Sequence, residues 1–320
     1  MSVRIAFVFP GQGSQFVGMG ADVLERSPAL RHVLRRAGGR VGLDLVDVML
    51  AGPRDRLDET VPTQVAVFAL SVALAELAVQ RGARPAAVAG HSLGEYSALV
   101  AGGWLDRDAA TDAVVERARA MDRCTAAVPG AMAAVIGLRP DLLMRLLPAE
   151  SGVVVANVNT PRQVVLSGPR DWITHLRHTV LAAGAAEYRV LPVAGAFHSP
   201  LMRTAEREYA AVVDQLPLRA GHTPLVSSVT GGFVDDPDAY RADLRRQITA
   251  PVRWADTAVL LAEHCPDGAV EVGPGQVLRG LLRRVDRGWP IVNCQAATAL
   301  PDVSALFAER YVAASAARWG

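Results

Sequence analysis

The sequence contains no lysine and only three cysteines among its 320 residues. All 33 basic residues are arginines; they are scattered along the chain and are balanced by 32 acidic residues, for a net charge of +1. This balance gives no reason to expect nucleic acid or an anionic membrane as the main partner. The cysteines lie far apart and show no metal-ligand spacing, so we expect no metal site and three free thiols in a reducing cytosol.

Long uninterrupted hydrophobic runs are also absent from the sequence. The apolar opening, residues 5–9, is too short for the hydrophobic region of a signal peptide. The longest apolar stretch, residues 61–79, is interrupted by Gln64, Ser71 and Glu76, which predicts a buried helix and not a membrane span. We therefore expect a soluble, cytoplasmic protein. Its length suits one large domain or a domain with an insertion.

The order of predicted elements indicates an α/β core. Residues 4–9 are β-branched and aromatic and end at Pro-Gly, which predicts a buried strand. A glycine-rich loop over residues 11–20 and a helical pattern follow. Residues 86–90 are short and apolar, and a further helix begins near Glu95. Strand, turn, helix and strand in this order are typical of an α/β sheet.

The pattern changes after residue 128 and predicts an inserted subdomain over residues 128–195. Strand-like runs and helical runs alternate there in the order β-α-β-β-α-β, at residues 130–137, 139–147, 152–158, 163–167, 171–183 and 187–193. This order is the ferredoxin-like arrangement. We therefore expect residues 1–127 and 196–320 to form one large α/β unit around this α+β insertion.

The pattern Gly90-His91-Ser92-Leu93-Gly94 directly follows the second predicted strand. A G-x-S-x-G pattern between a strand and a helix is typical of a nucleophile elbow, a sharp turn that presents a serine at a helix N-terminus. Unpaired N–H groups and the helix dipole favour an oxyanion at that place. The pattern also arises by chance, and the serine could simply cap the helix.

A serine nucleophile needs a base, because its hydroxyl is a weak nucleophile at neutral pH. Of the seven histidines, His198 is the candidate, since it lies in a loop between a predicted strand and a predicted helix, where catalytic side chains are commonly presented. His91 adjoins Ser92, but the elbow should point its ring away from the serine oxygen. A loop histidine can also have a purely structural role, so the pairing of His198 with Ser92 is a geometric hypothesis.

Five motifs occur in order along the chain: FVFPGQGSQFVGMG at 7–20, GHSLGEYSAL at 90–99, NVNTPRQVVLSG at 157–168, GAFHSPLM at 195–202 and EVGPGQVLRGLLRR at 271–284. With these motifs the chain resembles the malonyl-CoA:acyl carrier protein transacylases and the acyltransferase domains of polyketide synthases. The resemblance runs from about residue 4 to about residue 284. It implies an α/β-hydrolase-like core with an inserted ferredoxin-like subdomain.

The resemblance also implies roles for the matching residues. Ser92 corresponds to the acylated nucleophile and His198 to its base. The backbone N–H groups of Gln12 and Leu93 correspond to the oxyanion hole. Gln247 corresponds to the glutamine whose backbone carbonyl orients the histidine, so the family needs no aspartate in a triad.

The resemblance implies that two further residues determine which acyl group the protein accepts. Arg117 matches the arginine that holds the free malonyl carboxylate, although from its spacing alone it would be part of a solvated helix face. The family usually has glycine after this arginine, whereas this chain has Ala118. Phe197, immediately before the histidine, goes with malonyl in this family, because a bulky ring crowds a substituent on the malonyl α-carbon.

These roles imply ping-pong transfer of malonyl, or a related carboxyacyl unit, from coenzyme A through an acyl-serine to an acyl carrier protein. The acceptor is the phosphopantetheine thiol of an acidic carrier protein that binds transiently; no metal or bound cofactor is implied, and we expect a monomer. The pathway is fatty-acid or polyketide biosynthesis. The alternatives are a carrier-to-carrier shuttle of a non-malonyl acyl group, a serine thioesterase, and a non-catalytic carrier-binding scaffold.

Overall fold

The computed structural model describes residues 3–316 and the side chains of residues 3–308. Its strands are β1 (Ile5–Phe9), β2 (Ala87–Gly90), β3 (Gly130–Ile136), β4 (Val154–Thr160), β5 (Gln163–Pro169), β6 (Glu187–Val190), β7 (Leu225–Val226), β8 (Gly268–Val272) and β9 (Ile291–Cys294). Its α-helices are α1 (Ala21–Leu24), α2 (Pro28–Val41), α3 (Leu45–Leu50), α4 (Arg54–Asp58), α5 (Thr60–Gln80), α6 (Gly94–Ala101), α7 (Arg107–Ala127), α8 (Pro140–Leu146), α9 (Arg170–Ala182), α10 (Arg203–Asp214), α11 (Pro237–Arg246), α12 (Trp254–His264), α13 (Val277–Val285) and α14 (Leu300–Ala316).

A parallel five-stranded sheet with the order β7-β2-β1-β8-β9 forms the centre of the larger part of the chain. Its central strand β1 is buried throughout because helices cover both faces of the sheet. Successive side chains of a strand point to opposite faces. Accordingly Ile5, Phe7 and Phe9 belong to one hydrophobic cluster, and Ala6 and Val8 belong to the other.

The register of β1 and β2 determines where two loops leave the sheet. Phe9 pairs with Gly90 at the carboxyl ends of these parallel strands. The loop that follows β1 and the turn that follows β2 therefore begin side by side. This places Gln12 and Ser92 at the same edge of the sheet, where ligands bind in open α/β sheets.

The second sheet is antiparallel and has the order β4-β5-β3-β6. Its strands and the helices α8 and α9 follow the predicted order β-α-β-β-α-β, with boundaries within a few residues of the prediction. A separate hydrophobic cluster lies between this sheet and its helices and includes Val135, Leu166 and Ile173. The protein is thus an α/β fold with one parallel and one antiparallel sheet.

Among the described residues, α5 is the one helix long and apolar enough to cross a membrane by length and composition. It packs against α2, α6 and α7, and 89% of its most apolar window is buried inside the protein. The prediction of a buried helix is confirmed. Of the polar residues that interrupt it, Gln64 is fully buried and Glu76 pairs with Arg107 at 2.9 Å.

The structure differs from the sequence prediction in the last third of the chain. Residues 223–228 have a strand-like sequence, but only Leu225–Val226 form a strand, because Ser227 begins a turn in which its Oγ accepts a hydrogen bond from the N–H of Val229. A strand at Ile291–Cys294, which the sequence analysis does not include, forms the sheet edge beside β8.

Candidate active site

Ser92 lies in the turn between β2 and α6 in a left-handed backbone conformation, with φ at 53°. This conformation is uncommon for a residue with a side chain. The turn is tight on both sides: a Cβ on Gly90 would lie 1.9 Å from the carbonyl carbon of Gly94, and a Cβ on Gly94 would lie 2.1 Å from the oxygen of Phe9. The two glycines of the G-x-S-x-G pattern are therefore needed for the geometry of the elbow.

The Oγ of Ser92 lies 2.8 Å from Nε2 of His198, although 106 residues separate them in sequence. His198 also has positive φ, at 56°, and its N–H donates to the carbonyl of Ile248. Its Nδ1 lies 2.9 Å from the carbonyl oxygen of Gln247 and 3.0 Å from that of Ala250. Both are acceptors, so Nδ1 carries the proton and Nε2 is free to accept one from Ser92.

Burial, the positive charge of Arg117 and the nearby ring of His91 together lower the pKa of His198 to about 3, with burial the largest cause. The histidine is consequently neutral at neutral pH, which is the form that a general base requires. No carboxylate contacts His198 among the described residues. Backbone carbonyls of the segment 247–250 take the place that an aspartate has in a Ser-His-Asp triad.

Arg117 projects from α7 and is buried beside the same serine oxygen. Its Nη2 donates to Ser92 Oγ at 3.0 Å, its Nη1 to Gln64 Oε1 at 2.7 Å and its Nε to Gln247 Oε1 at 3.2 Å. Burial lowers its pKa. Within the described part of the chain no carboxylate forms a salt bridge with this guanidinium, so its charge is uncompensated by contact, an arrangement that favours binding of an anion.

Gln12 and Leu93 both line the cavity in front of Ser92. In the described structure neither backbone N–H donates a hydrogen bond to another protein group. Leu93 is at the N-terminus of α6, where N–H groups lack partners within the helix. Two residues that line the cavity therefore have backbone N–H groups without a protein partner.

The cavity has a volume of about 290 Å³ and lies between the two sheets. On one side are Ser92, His198 and Arg117, and on the other are Met132 and Val165 of the antiparallel sheet. Phe197 contributes to the wall and is 5% exposed.

His91 lies at the cavity margin and is bonded away from the serine, as expected. Its Nε2 lies 2.9 Å from Asn159 Oδ1, and its ring is 5.5 Å from that of Trp254. Asn157, Asn159 and Gln163 of the third motif line the cavity. This motif thus forms the edge of the insertion that faces the site.

The structure brings all seven predicted site residues together and adds two that sequence reasoning missed. Gln64 holds Arg117, and Glu95 accepts a hydrogen bond from Gln247. The signal for Gln64 is a polar side chain in an otherwise apolar helix. For Glu95 it is a charged residue in the first turn after the elbow, where a cap explains it equally well.

The fold and the site define an acyltransferase. Residues 6–312 match the family model described as acyl transferase domain, and the chain belongs to that family. The resemblance seen in the motifs is therefore confirmed.

Two curated relatives illustrate the range of the family. The chain is 38% identical over 309 residues to the malonyl CoA-acyl carrier protein transacylase of Escherichia coli, covering 95% of this chain and 98% of that protein. It is 40% identical over 284 residues to the polyketide biosynthesis protein ThaF of Burkholderia thailandensis, covering 88% of this chain but only 24% of ThaF. The chain thus spans about a quarter of ThaF and nearly all of the E. coli enzyme.

Among solved structures, the chain is similar to a malonyl-transacylase in complex with its type II polyketide synthase acyl carrier protein. The TM-score is 0.88 at 33% identity, and the match covers 94% of this chain and 98% of that one.

Proposed function

We propose that this protein transfers malonyl, or a related carboxyacyl unit, from coenzyme A through an acyl-serine to the phosphopantetheine thiol of an acyl carrier protein. The observation that carries the proposal is the contact of one serine oxygen with two groups, a neutral histidine at 2.8 Å and a buried arginine at 3.0 Å. The histidine provides the base for acyl transfer. The arginine selects acyl groups that have a second, free carboxylate.

In the first half-reaction, Nε2 of His198 accepts the hydroxyl proton while Oγ of Ser92 attacks the thioester carbonyl carbon. The N–H groups of Gln12 and Leu93 hold the oxyanion. The C–S bond then breaks, and coenzyme A leaves as a thiol with the proton from His198. In the second half-reaction the carrier thiol gives its proton to His198, attacks the acyl-serine and regenerates Ser92.

Arg117 couples recognition of the acyl group to this chemistry. In the free enzyme one of its N–H groups donates to Ser92 Oγ and occupies a lone pair of the nucleophile. A malonyl carboxylate is a stronger acceptor and draws the guanidinium away from the serine. Its negative charge also offsets the effect of Arg117 on the pKa of His198, so the histidine becomes more basic once a carboxyacyl donor is bound.

The domain organisation belongs to the same proposal. We assign residues 1–127 and 196–320 to an α/β-hydrolase-like unit and residues 128–195 to a ferredoxin-like insertion. The sheet order β4-β5-β3-β6 with its βαββαβ chain order, and the serine at the carboxyl end of a parallel strand, support this assignment. A cytoplasmic location and a monomeric state complete the proposal.

The carrier protein reaches the cavity past two arginines. Arg189 lines the cavity, and Arg284 donates to Gln163, which also lines it. Arg189 lies 3.6 Å from Glu187, and the structure records no ion pair for Arg284 in the described residues. Positive charge at this mouth suits the acidic carrier protein that we expect as acceptor.

Intact-protein mass spectrometry after brief mixing with malonyl-CoA or acetyl-CoA tests the proposal. We expect a malonyl adduct in the parent that is absent from Ser92→Ala and nearly absent from Arg117→Ala. Arg119→Ala is the matched control, because this arginine lies on the same helix but pairs with Glu116 outside the cavity; its adduct should equal that of the parent.

Each other outcome identifies a different alternative. An adduct that survives Arg117→Ala, or is stronger with acetyl-CoA, points to a shuttle of non-malonyl acyl groups. Rapid loss of the adduct to water without a carrier protein points to a thioesterase. No adduct with any acyl-CoA removes the coenzyme A donor from the proposal.

A further inference from the structure

Glu95 is a buried carboxyl group that the proposed chemistry does not use. It lies in the first turn of α6, three residues after Ser92, and is fully buried. One of its oxygens accepts from the N–H of Ser228 at 2.8 Å and from the hydroxyl of Tyr240 at 3.2 Å, and the other accepts from Nε2 of Gln247. Its partners are all donors, and a carboxylate is the group that can only accept.

The contact with Glu95 determines which way the side-chain amide of Gln247 points. Its Nε2 donates to Glu95 and, at 3.1 Å, to the carbonyl oxygen of Ser92, which leaves Oε1 to accept from Nε of Arg117. With the amide turned over, Nε2 would face the guanidinium and Oε1 would face two oxygens. Glu95 therefore selects the one orientation in which Gln247 holds Arg117.

We propose that Glu95 is a positioning residue that acts through the side-chain amide of Gln247 to hold the Arg117 guanidinium in place for a substrate carboxylate. The inference rests on the proposed function, in which Arg117 binds that carboxylate. Apart from Ser92, the hydrogen-bond partners of Arg117 are the neutral amides of Gln64 and Gln247, so the guanidinium is fixed without being neutralised. Glu95 lies one residue further away from the guanidinium and holds the amide of Gln247.

The isosteric change Glu95→Gln tests whether Glu95 positions Arg117 through the amide of Gln247. A glutamine at position 95 must either turn its NH₂ group towards Gln247, so that two donors face each other, or turn it towards the N–H of Ser228 with the same result. No arrangement of the two amides satisfies the donors of Ser228, Gln247 and Arg117 together. The first arrangement is favoured, because the amide oxygen then still accepts from both Ser228 and Tyr240. In that arrangement Gln247 loses its fixed orientation, and Arg117 loses one of its anchors.

The readout is the ratio of the acylation rate constants, kcat/KM, for malonyl-CoA and acetyl-CoA, because only the malonyl group has a carboxylate for Arg117. Losing one hydrogen bond to a charged group should lower this ratio at least about tenfold in Glu95→Gln. Tyr240→Phe is the matched control: it removes a different buried donor to Glu95 and leaves the contact with Gln247 intact, so its ratio should stay within about twofold of the parent.

Parent and Arg117→Ala are measured in parallel, so that failure of the proposed function can be distinguished from failure of the inference about Glu95. A parent without preference for malonyl would refute the proposed function, and this inference with it. A parent with a preference that Arg117→Ala removes, together with a folded Glu95→Gln that keeps the full ratio, would overturn the inference alone. An equal fall of the ratio in Tyr240→Phe would also overturn it, because the effect would then come from general loss of packing.

Gln247→Met serves if Glu95→Gln does not fold, as judged by its thermal unfolding. Methionine has a similar length but no amide, and it leaves the backbone carbonyl of residue 247 available to His198. If Glu95 acts through this amide, the ratio of kcat/KM for malonyl-CoA to that for acetyl-CoA should fall by the same factor in this variant. Retention of the parent ratio in Gln247→Met would show that no side-chain amide transmits the position of Glu95 to Arg117.

Discussion

His198 should make the stability of the folded protein depend on pH in a way that one substitution removes. Burial lowers the pKa of this histidine from its ordinary value of 6.5 to about 3. Between these values the unfolded chain binds a proton that the folded protein excludes. Stability is therefore greatest above pH 6.5 and is lost as the pH falls towards 3.

The size of the effect follows from the two pKa values. Each unit of pH below 6.5 costs the folded protein about 1.4 kcal/mol. Between pH 7 and pH 5 the contribution of His198 falls by about 2 kcal/mol. Burial raises the pKa of Glu95 and of Glu271 to about 7. These carboxyl groups bind protons more tightly in the folded protein, so their contribution to its stability increases as the pH falls, opposite to that of His198.

The assay is urea unfolding of the parent and of His198→Gln at pH 7 and pH 5. Both proteins retain Glu95 and Glu271, so the difference between them isolates His198. The stability of the parent relative to the variant should fall by about 2 kcal/mol over this interval. His178→Gln, which removes an exposed histidine, should follow the parent at both pH values. If the difference between parent and His198→Gln is the same at pH 7 and pH 5, the histidine is not held neutral by burial, and the reasoning about the base is wrong.

Three further predictions concern acyl selectivity, the elbow and the mouth of the cavity. Phe197→Ser should raise kcat/KM for methylmalonyl-CoA relative to malonyl-CoA about tenfold, because one methyl group is worth about 1–3 kcal/mol in a pocket; an unchanged ratio in acylation assays would contradict the role of the ring. Gly90→Ala should destabilise the fold by about 4 kcal/mol or more, since the new Cβ meets backbone at 1.9 Å. The control is Gly39→Ala, because a Cβ on this helical glycine would have no atom within 4 Å. Its free energy of unfolding should rise by about 0.5–1 kcal/mol, and chemical denaturation of both variants measures the two changes. Arg284→Glu should raise the KM for an acidic carrier protein several-fold at low salt and less at high salt; a KM independent of the charge at residue 284 would exclude this arginine from the contact.

The fold was predictable where local pattern and tertiary structure agree. β1 and β2 are short apolar runs that end at glycine or proline, and the insertion has the alternation of strands and helices that its sequence shows. The strands β7 and β9 lie at the two edges of the parallel sheet, and β7 has only two residues. β7 pairs with β2, which is far away in sequence, and β9 pairs with β8 across the intervening helix α13. A window of local sequence therefore contains little of the information on either pairing.

The site was predictable to the extent that its residues lie in motifs. Ser92 and His198 each have a recognisable local context, and their contact at 2.8 Å follows from the sheet and the loop that carry them. Gln64 and Glu95 have no such context. Their importance comes from hydrogen bonds to residues far along the chain, because the residue numbers differ by 53 for Gln64 and Arg117 and by 152 for Glu95 and Gln247. Only the folded structure brings these partners together.

The choice of neutral partners around Arg117 explains why this site has no triad aspartate. A carboxylate on His198 Nδ1 would lie two contacts away from the guanidinium, through the imidazole and Ser92 Oγ, in a buried region where charges interact strongly. It would offset the positive charge that a substrate carboxylate has to meet. The carbonyls of Gln247 and Ala250 hold the same tautomer of the histidine without adding a charge. In the proposed function, the uncompensated charge of Arg117 is thus kept for the acyl group, and His198 becomes more basic once a carboxyacyl donor is bound.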